Sequence, residues 1–258
     1  MLAKVKTLNG YKLHSLDGII GSVKEFYFDD RHWTIRYLVA NTGNWLTGRK
    51  VLISPYSLNR VDTAAEALSV QLTKSQIEAS PSIDMEEPVS RQFEESYYGY
   101  YGYPNYWVGQ SMWGYYPYLE RDHSKWGGHA ETANKWDSHL RSTHAVTGYR
   151  LLALDGEIGH VEDFVIDDET WAIRYLIVST TDFWPGKKVL VSPQWIKKVS
   201  WEQSKVVIDL SRELIKGAPE YTDGSLPTRD HESRLYGHYN RAGYWVDELL
   251  PVKSDSAG

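Results

Sequence analysis

The chain has 258 residues and a formal net charge of −6, which leaves room for two domains with separate cores and gives no overall attraction for phosphate backbones or anionic lipid. It contains no cysteine, which excludes disulfides, thiolate nucleophiles and zinc sites built on sulfur, and fits a reducing cytoplasm. Tyr (19) and Trp (11) far outnumber Phe (5), so much of the apolar area is carried by side chains whose polar tips need partners.

Residues 1–10 show no apolar h-region or cleavage signature, and no stretch approaches the ~18 consecutive apolar residues of a membrane helix. A soluble, unexported protein without membrane insertion is expected. Residues 10–81 then recur as residues 148–219 at a constant offset of 138, with no gap and 28 identities over 72 positions. Within the first copy, residues 11–16 and 19–28 flank Asp17-Gly18, the signal of a tight hairpin, and Asp155-Gly156 repeats it. Asp29-Asp30 and Asp167-Asp168 close the second strand. Next, Trp33, Ile35, Tyr37 and Val39 alternate onto one face, as do Trp171, Ile173, Tyr175 and Ile177, and that face is expected in the core. Arg36 and Arg174, with Leu38 and Leu176, occupy the other face, which reads as half covered. Short strands follow at 50–53 and 188–191, each ended by Ser-Pro, since proline cannot continue a central ladder. Last strands are expected at 67–72 and 205–210, and Thr73 or Ser211 can cap a short helix reaching Ala79 or Gly217. Five or six short strands per copy argue for a mainly β fold of two small antiparallel barrels, because closure removes exposed edges.

The run G-x-I-G-x-V-x-x-F-x-x-D-D-x-x-W-x-I-R-Y-L, present at residues 18–38 and 156–176, resembles the PRC-barrel family, which includes the cytoplasmic domain of the photosynthetic reaction centre H subunit and the C-terminal domain of the ribosome maturation factor RimM. The resemblance covers residues 10–72 and 148–210. It implies compact barrels that work through protein contacts, in a bacterial or archaeal cytoplasmic protein. The chain departs from the H subunit in lacking an N-terminal transmembrane helix, and from RimM in carrying a second barrel in place of an RNA-linked domain. The expected division is a first barrel at 1–82, an aromatic extension at 83–118, a polar linker at 119–147, a second barrel at 148–220, and a second extension with a disordered tail at 221–258.

Residues 97–118 hold nine Tyr and two Trp with no charged residue. Such a tract can be an adhesive surface for a partner, a second subunit or a sugar, or it can wrap its own barrel. Tyr236, Tyr239, Tyr244 and Trp245 follow the second copy in the same pattern, which favours self-packing; the excess of the first tract is where a contact set would lie, with Tyr100, Tyr103, Trp107, Trp113, Tyr115 and Tyr116 as the candidates. His123, His129, His139 and His144 match no common metal-ligand spacing, so neither metal nor cofactor is expected. The paired aspartates sit where turns want aspartate, and neighbours on a strand point to opposite faces, which disfavours a general acid and base pair. Arg36 and Arg174 are possible polar contacts for a partner, or each covers a barrel mouth and pairs with a turn aspartate. No nucleophile elbow, phosphate loop or zinc-protease motif occurs. The expectation is therefore a non-enzymatic interaction or assembly module, with an unidentified protein partner or self-association and no direct nucleic-acid binding. A peripheral accessory of a membrane photosynthetic or electron-transfer complex, and a ligand or carbohydrate binder using the aromatic tract, are the alternatives.

Overall fold

The computed structural model describes residues 1–46, 49–84, 89–107, 119, 139–180, 187–222 and 225–248. The first half runs β1 (Leu2–Lys4), α1 (Val5–Leu8), β2 (Lys12–Ser15), β3 (Gly18–Asp29), β4 (Thr34–Asn41) and β5 (Arg49–Ile53). A 3-10 turn at Pro55–Ser57 leads to β6 (Leu58–Asp62), β7 (Ala67–Val70), α2 (Lys74–Ala79), β8 (Ile83–Asp84) and α3 (Arg91–Tyr101). The second half has β9 (Leu140–Ser142), α4 (Thr143–Val146), β10 (Arg150–Ala153), β11 (Gly156–Asp167), β12 (Ile173–Ser179) and β13 (Lys188–Val191). After a 3-10 turn at Pro193–Trp195 come β14 (Ile196–Ser200), β15 (Lys205–Ile208), α5 (Arg212–Gly217), α6 (Arg229–His238) and α7 (Tyr244–Glu248). The fold is mainly β.

Local chemistry explains the hairpins and short helices. Ser15 donates its hydroxyl to Asp17 at 2.8 Å and to the Gly18 carbonyl at 2.6 Å, while Asp17 accepts the Lys74 amide at 2.9 Å and so ties the hairpin tip to α2. Asp155 does the same for α5 through the Arg212 amide at 2.8 Å. Thr73 and Gln76 close a capping box on α2. At Gly21 and Gly159 the long strand comes against the end of its neighbour: a Cβ would lie 2.0 Å from the Asn41 carbonyl oxygen in one case and 1.9 Å from that of Ser179 in the other, and φ is +136° and +146°. Both the space and the backbone conformation exclude a side chain there.

The sheet paths run β6-β7-β2-β3-β4-β5-β8 and β13-β12-β11-β10-β15-β14. Among the described residues no pairing joins the two ends of either path, so closed barrels are not seen as continuous ladders. Nor is the pairing purely antiparallel, since β2–β7 and β10–β15 are parallel. The reason lies in the Ser-Pro turns. They do end strands, as the prolines require, yet the chain keeps its direction through them, so β5 and β6, or β13 and β14, behave as one bent strand passing from one end of the sheet path to the other.

The two halves exchange edge strands. β1 pairs with β11, Leu2 opposite Asp167, and β9 pairs with β3, Leu140 opposite Asp29; both pairs of partners differ by the repeat offset. The last residues of the expected polar linker are thus a strand and a helix of the fold. At the centre of the exchange Thr34 bridges Ala172, the Ile35 amide donates to the Trp171 carbonyl, and the Ile173 amide donates to the Trp33 carbonyl, both at 2.8 Å. Trp33 and Trp171 adopt φ of 53° and 60° to turn into this bridge. The core continues across it: the Phe28 ring is 6.0 Å from Phe164, and Phe26 is 6.1 Å from Trp171. Each fully buried Phe here contributes roughly 1.5–3 kcal/mol relative to exposure. β4 and β12 are covered on both faces, Arg36 included, where half coverage was expected.

Candidate functional site

The residues with the most chemistry are mostly held in structural networks. Arg36 donates to Asp29 at 3.1 Å and Arg174 to Asp167 at 2.9 Å, so both arginines pair with the turn aspartate seven residues before them. Their guanidinium groups also lie over aromatic rings, 3.9 Å from the Tyr106 centroid and 4.1 Å from that of Tyr244. Burial alone would push the Asp29 carboxyl up, but the His32 ring, Arg36 and the Arg31 amide together hold it well below the usual range.

Beneath each arginine sits a glutamate that sequence reasoning missed. Glu94 accepts the hydroxyls of Tyr37 at 3.1 Å and Tyr106 at 2.5 Å, and pairs with Arg91 at 2.8 Å. Glu232 accepts Tyr175 and Tyr244, both at 2.8 Å, and pairs with Arg229 at 3.1 Å. Burial pushes Glu94 up to about 7, against the pull of Arg91 and the two tyrosine hydroxyls. Arg91 and Arg229, and Glu94 and Glu232, recur at the repeat offset, which was the available signal.

These networks dock the aromatic extension against the sheet of its own half. Tyr97 donates to the Leu52 carbonyl at 2.9 Å and accepts the Ser54 amide at 3.1 Å. Tyr103 stacks on Tyr56 and Tyr101, with centroids 5.3 and 5.2 Å apart, and its hydroxyl meets Ser57. Trp107 packs edge-on to Tyr98 at 5.2 Å and lies 4.3 Å beneath Arg91. Of the six candidate contact residues, Tyr103 and Trp107 are therefore half-buried in the fold. Tyr100 is 43% exposed, with its hydroxyl on the Gln76 carbonyl at 3.0 Å. Trp113, Tyr115 and Tyr116 lie outside the described residues, as do His123 and His129. Among the described residues no group of histidines and carboxylates is arranged to hold a metal ion, and no helix is long and apolar enough to cross a membrane.

An open site lies elsewhere, at the seam between the halves. A groove of about 670 Å³ is bordered by the β3–β4 turn, β9, the start of β12 and β14. Its apolar lining includes Trp33, Ile173, Ile196 and Trp201. Arg31, Arg141, Lys197 and Lys198 also line it, and Asp30 is the one carboxylate among the described lining residues. Asp30 is occupied by Arg141 at 2.8 Å and His139 at 3.1 Å, and the Arg141 guanidinium rests 4.4 Å from the Trp201 centroid. Lys197 and Lys198 are exposed and have no carboxylate partner among the described residues. The groove is fitted for an anionic ligand with apolar parts, and no sequence motif announces it because its described residues come from five separate stretches.

Comparison with known proteins fits this architecture. Among curated proteins nothing matches the chain. Residues 146–215 match a family model described as PRC-barrel domain. Residues 146–215 of this chain are thus similar to the PRC-barrel domain, a unit that fits a protein-interaction or assembly module.

Proposed function

We propose that the chain is a non-enzymatic interaction or assembly module made of two PRC-type barrels, at residues 1–82 and 148–220, fused into one body. The observation that carries this reading is the use of its reactive side chains: Asp29, Arg36, Glu94 and their counterparts in the second half are spent on holding strands and helices together. What remains open is a surface groove with cations and aromatic rings, which suits recognition better than turnover. The carbohydrate alternative has less support, because the rings of Tyr103 and Trp107 are packed against other rings. The test is affinity purification of the tagged full chain from the cells that make it, with quantitative mass spectrometry. Recovery of a protein in roughly equimolar amount supports the reading, and repeated recovery of the chain alone, monomeric by light scattering, overturns it.

A further inference from the structure

The exchange of strands creates two equivalent seams, and they are finished differently. At one seam the Asp168 carboxylate accepts the backbone N–H of Val61, on the end strand β6, at 3.2 Å, tying that edge to the other half. At the other seam the equivalent aspartate, Asp30, is engaged by His139 and Arg141, and the equivalent end strand β14 borders the groove. β14 terminates its sheet path, so one of its edges has no strand neighbour among the described residues. The charges differ as well. Arg31, Arg141 and Lys197 of the open seam stand where its counterpart has Glu169, Ala3 and Asn59. In a chain of net charge −6, this is a local reversal of sign placed against an available strand edge.

Building on the interaction reading, we infer that the seam groove docks an extended acidic segment of a partner protein. The segment adds as a strand to β14, its carboxylates face Arg31, Arg141, Lys197 and Lys198, and an apolar side chain enters between Trp33 and Trp201. Charge complementarity selects the partner, and the strand edge supplies backbone hydrogen bonds. The same lysines deter pairing with neutral or basic strands. A compact polyanion such as a nucleotide phosphate is a poorer fit: the cations come from the β3–β4 turn, β9 and β14 rather than from one loop, and among the described residues no glycine-rich loop borders the groove.

The test is fluorescence anisotropy with the full-length chain and a labelled Glu-Val repeat peptide of about ten residues. Saturable binding is expected, weakening as NaCl is raised and falling roughly tenfold in Lys197→Glu/Lys198→Glu; both lysines are exposed, and a circular dichroism melt verifies that the variant folds. The same peptide N-methylated on alternate residues, which keeps the charge but blocks a ladder, is expected not to bind. Undiminished binding of the N-methylated peptide overturns the strand-addition geometry, and tripolyphosphate competing as strongly as the peptide overturns the choice of ligand. If the peptide fails while a cellular partner is recovered equally by the parent and the lysine variant, the groove proposal falls and the interaction reading stands. Absence of both peptide binding and any partner removes both.

Discussion

The carboxylates of this chain are pulled in opposite directions by their surroundings, and the balance sets how stability depends on pH. Burial pushes Glu94 up to about 7 and Asp163 up to about 6, while Asp29, buried, and Asp167, half-buried, each paired with an arginine, are held down. A carboxyl whose pKa rises on folding stabilises the fold below its unfolded value and loses that contribution as pH rises through the folded one. For Glu94 the loss runs from 4.5 to about 7, and for Asp163 from 3.8 to about 6. Asp29 and Asp167 contribute above their unfolded 3.8 and lose it as pH falls. Thermal melts are therefore expected to peak well on the acidic side of neutrality, at about pH 4, with Tm declining from there to about pH 7. Glu94→Gln should flatten that decline, since an amide keeps an acceptor oxygen for Tyr37 and Tyr106 and cannot ionise; an unchanged alkaline limb would assign the decline to another group. At this scale the sequence was partly readable. The arginine and turn-aspartate pairs follow from spacing on adjoining strands, whereas Glu94 and Glu232 look like ordinary surface residues of an acidic segment until the fold places two tyrosines over each.

Elements with local signals were legible, and those made by distant partners were not. Asp-Gly hairpins, Ser-Pro strand ends and the Thr73 and Ser211 caps declare themselves within a few residues, and all appear in the fold. Leu2–Lys4 and Leu140–Ser142 are three residues each, too short for a period, and they become strands because β11 and β3 offer open edges in the other half. α3 was hidden by its composition, since glycine and a run of tyrosines are poor helix formers. It stands because Ser90 caps it, Gly102 ends it in the left-handed region, and Tyr97 fastens it to the sheet. Removing that fastening with Tyr97→Phe leaves the ring in place but strips the buried Ser54 amide and Leu52 carbonyl of their partner. A loss of about 1–3 kcal/mol is expected in urea unfolding. A loss below about 0.5 kcal/mol would mean that ring packing alone positions the helix.

For the molecule as a whole, the exchanged strands and the continuous core predict shared fate. Two independent barrels would melt separately, but here each half completes its sheet with a strand from the other. Differential scanning calorimetry of the full chain is expected to give one transition with calorimetric and van't Hoff enthalpies in agreement; two resolved transitions would show that the halves fold alone. The groove could not be read at the sequence level because it belongs to the seam, although comparing the repeats at Arg31 and Glu169, or Lys197 and Asn59, marks where they diverge. The bridge between Thr34 and Ala172 carries a consequence of its own. A single-copy chain making that contact could do so only with a twin, across a two-fold axis, and every substitution in one groove would be copied into the other. Joining the copies in one polypeptide releases the two faces from that bond, so one can be fastened shut for strength while its sibling stays open to accept a guest.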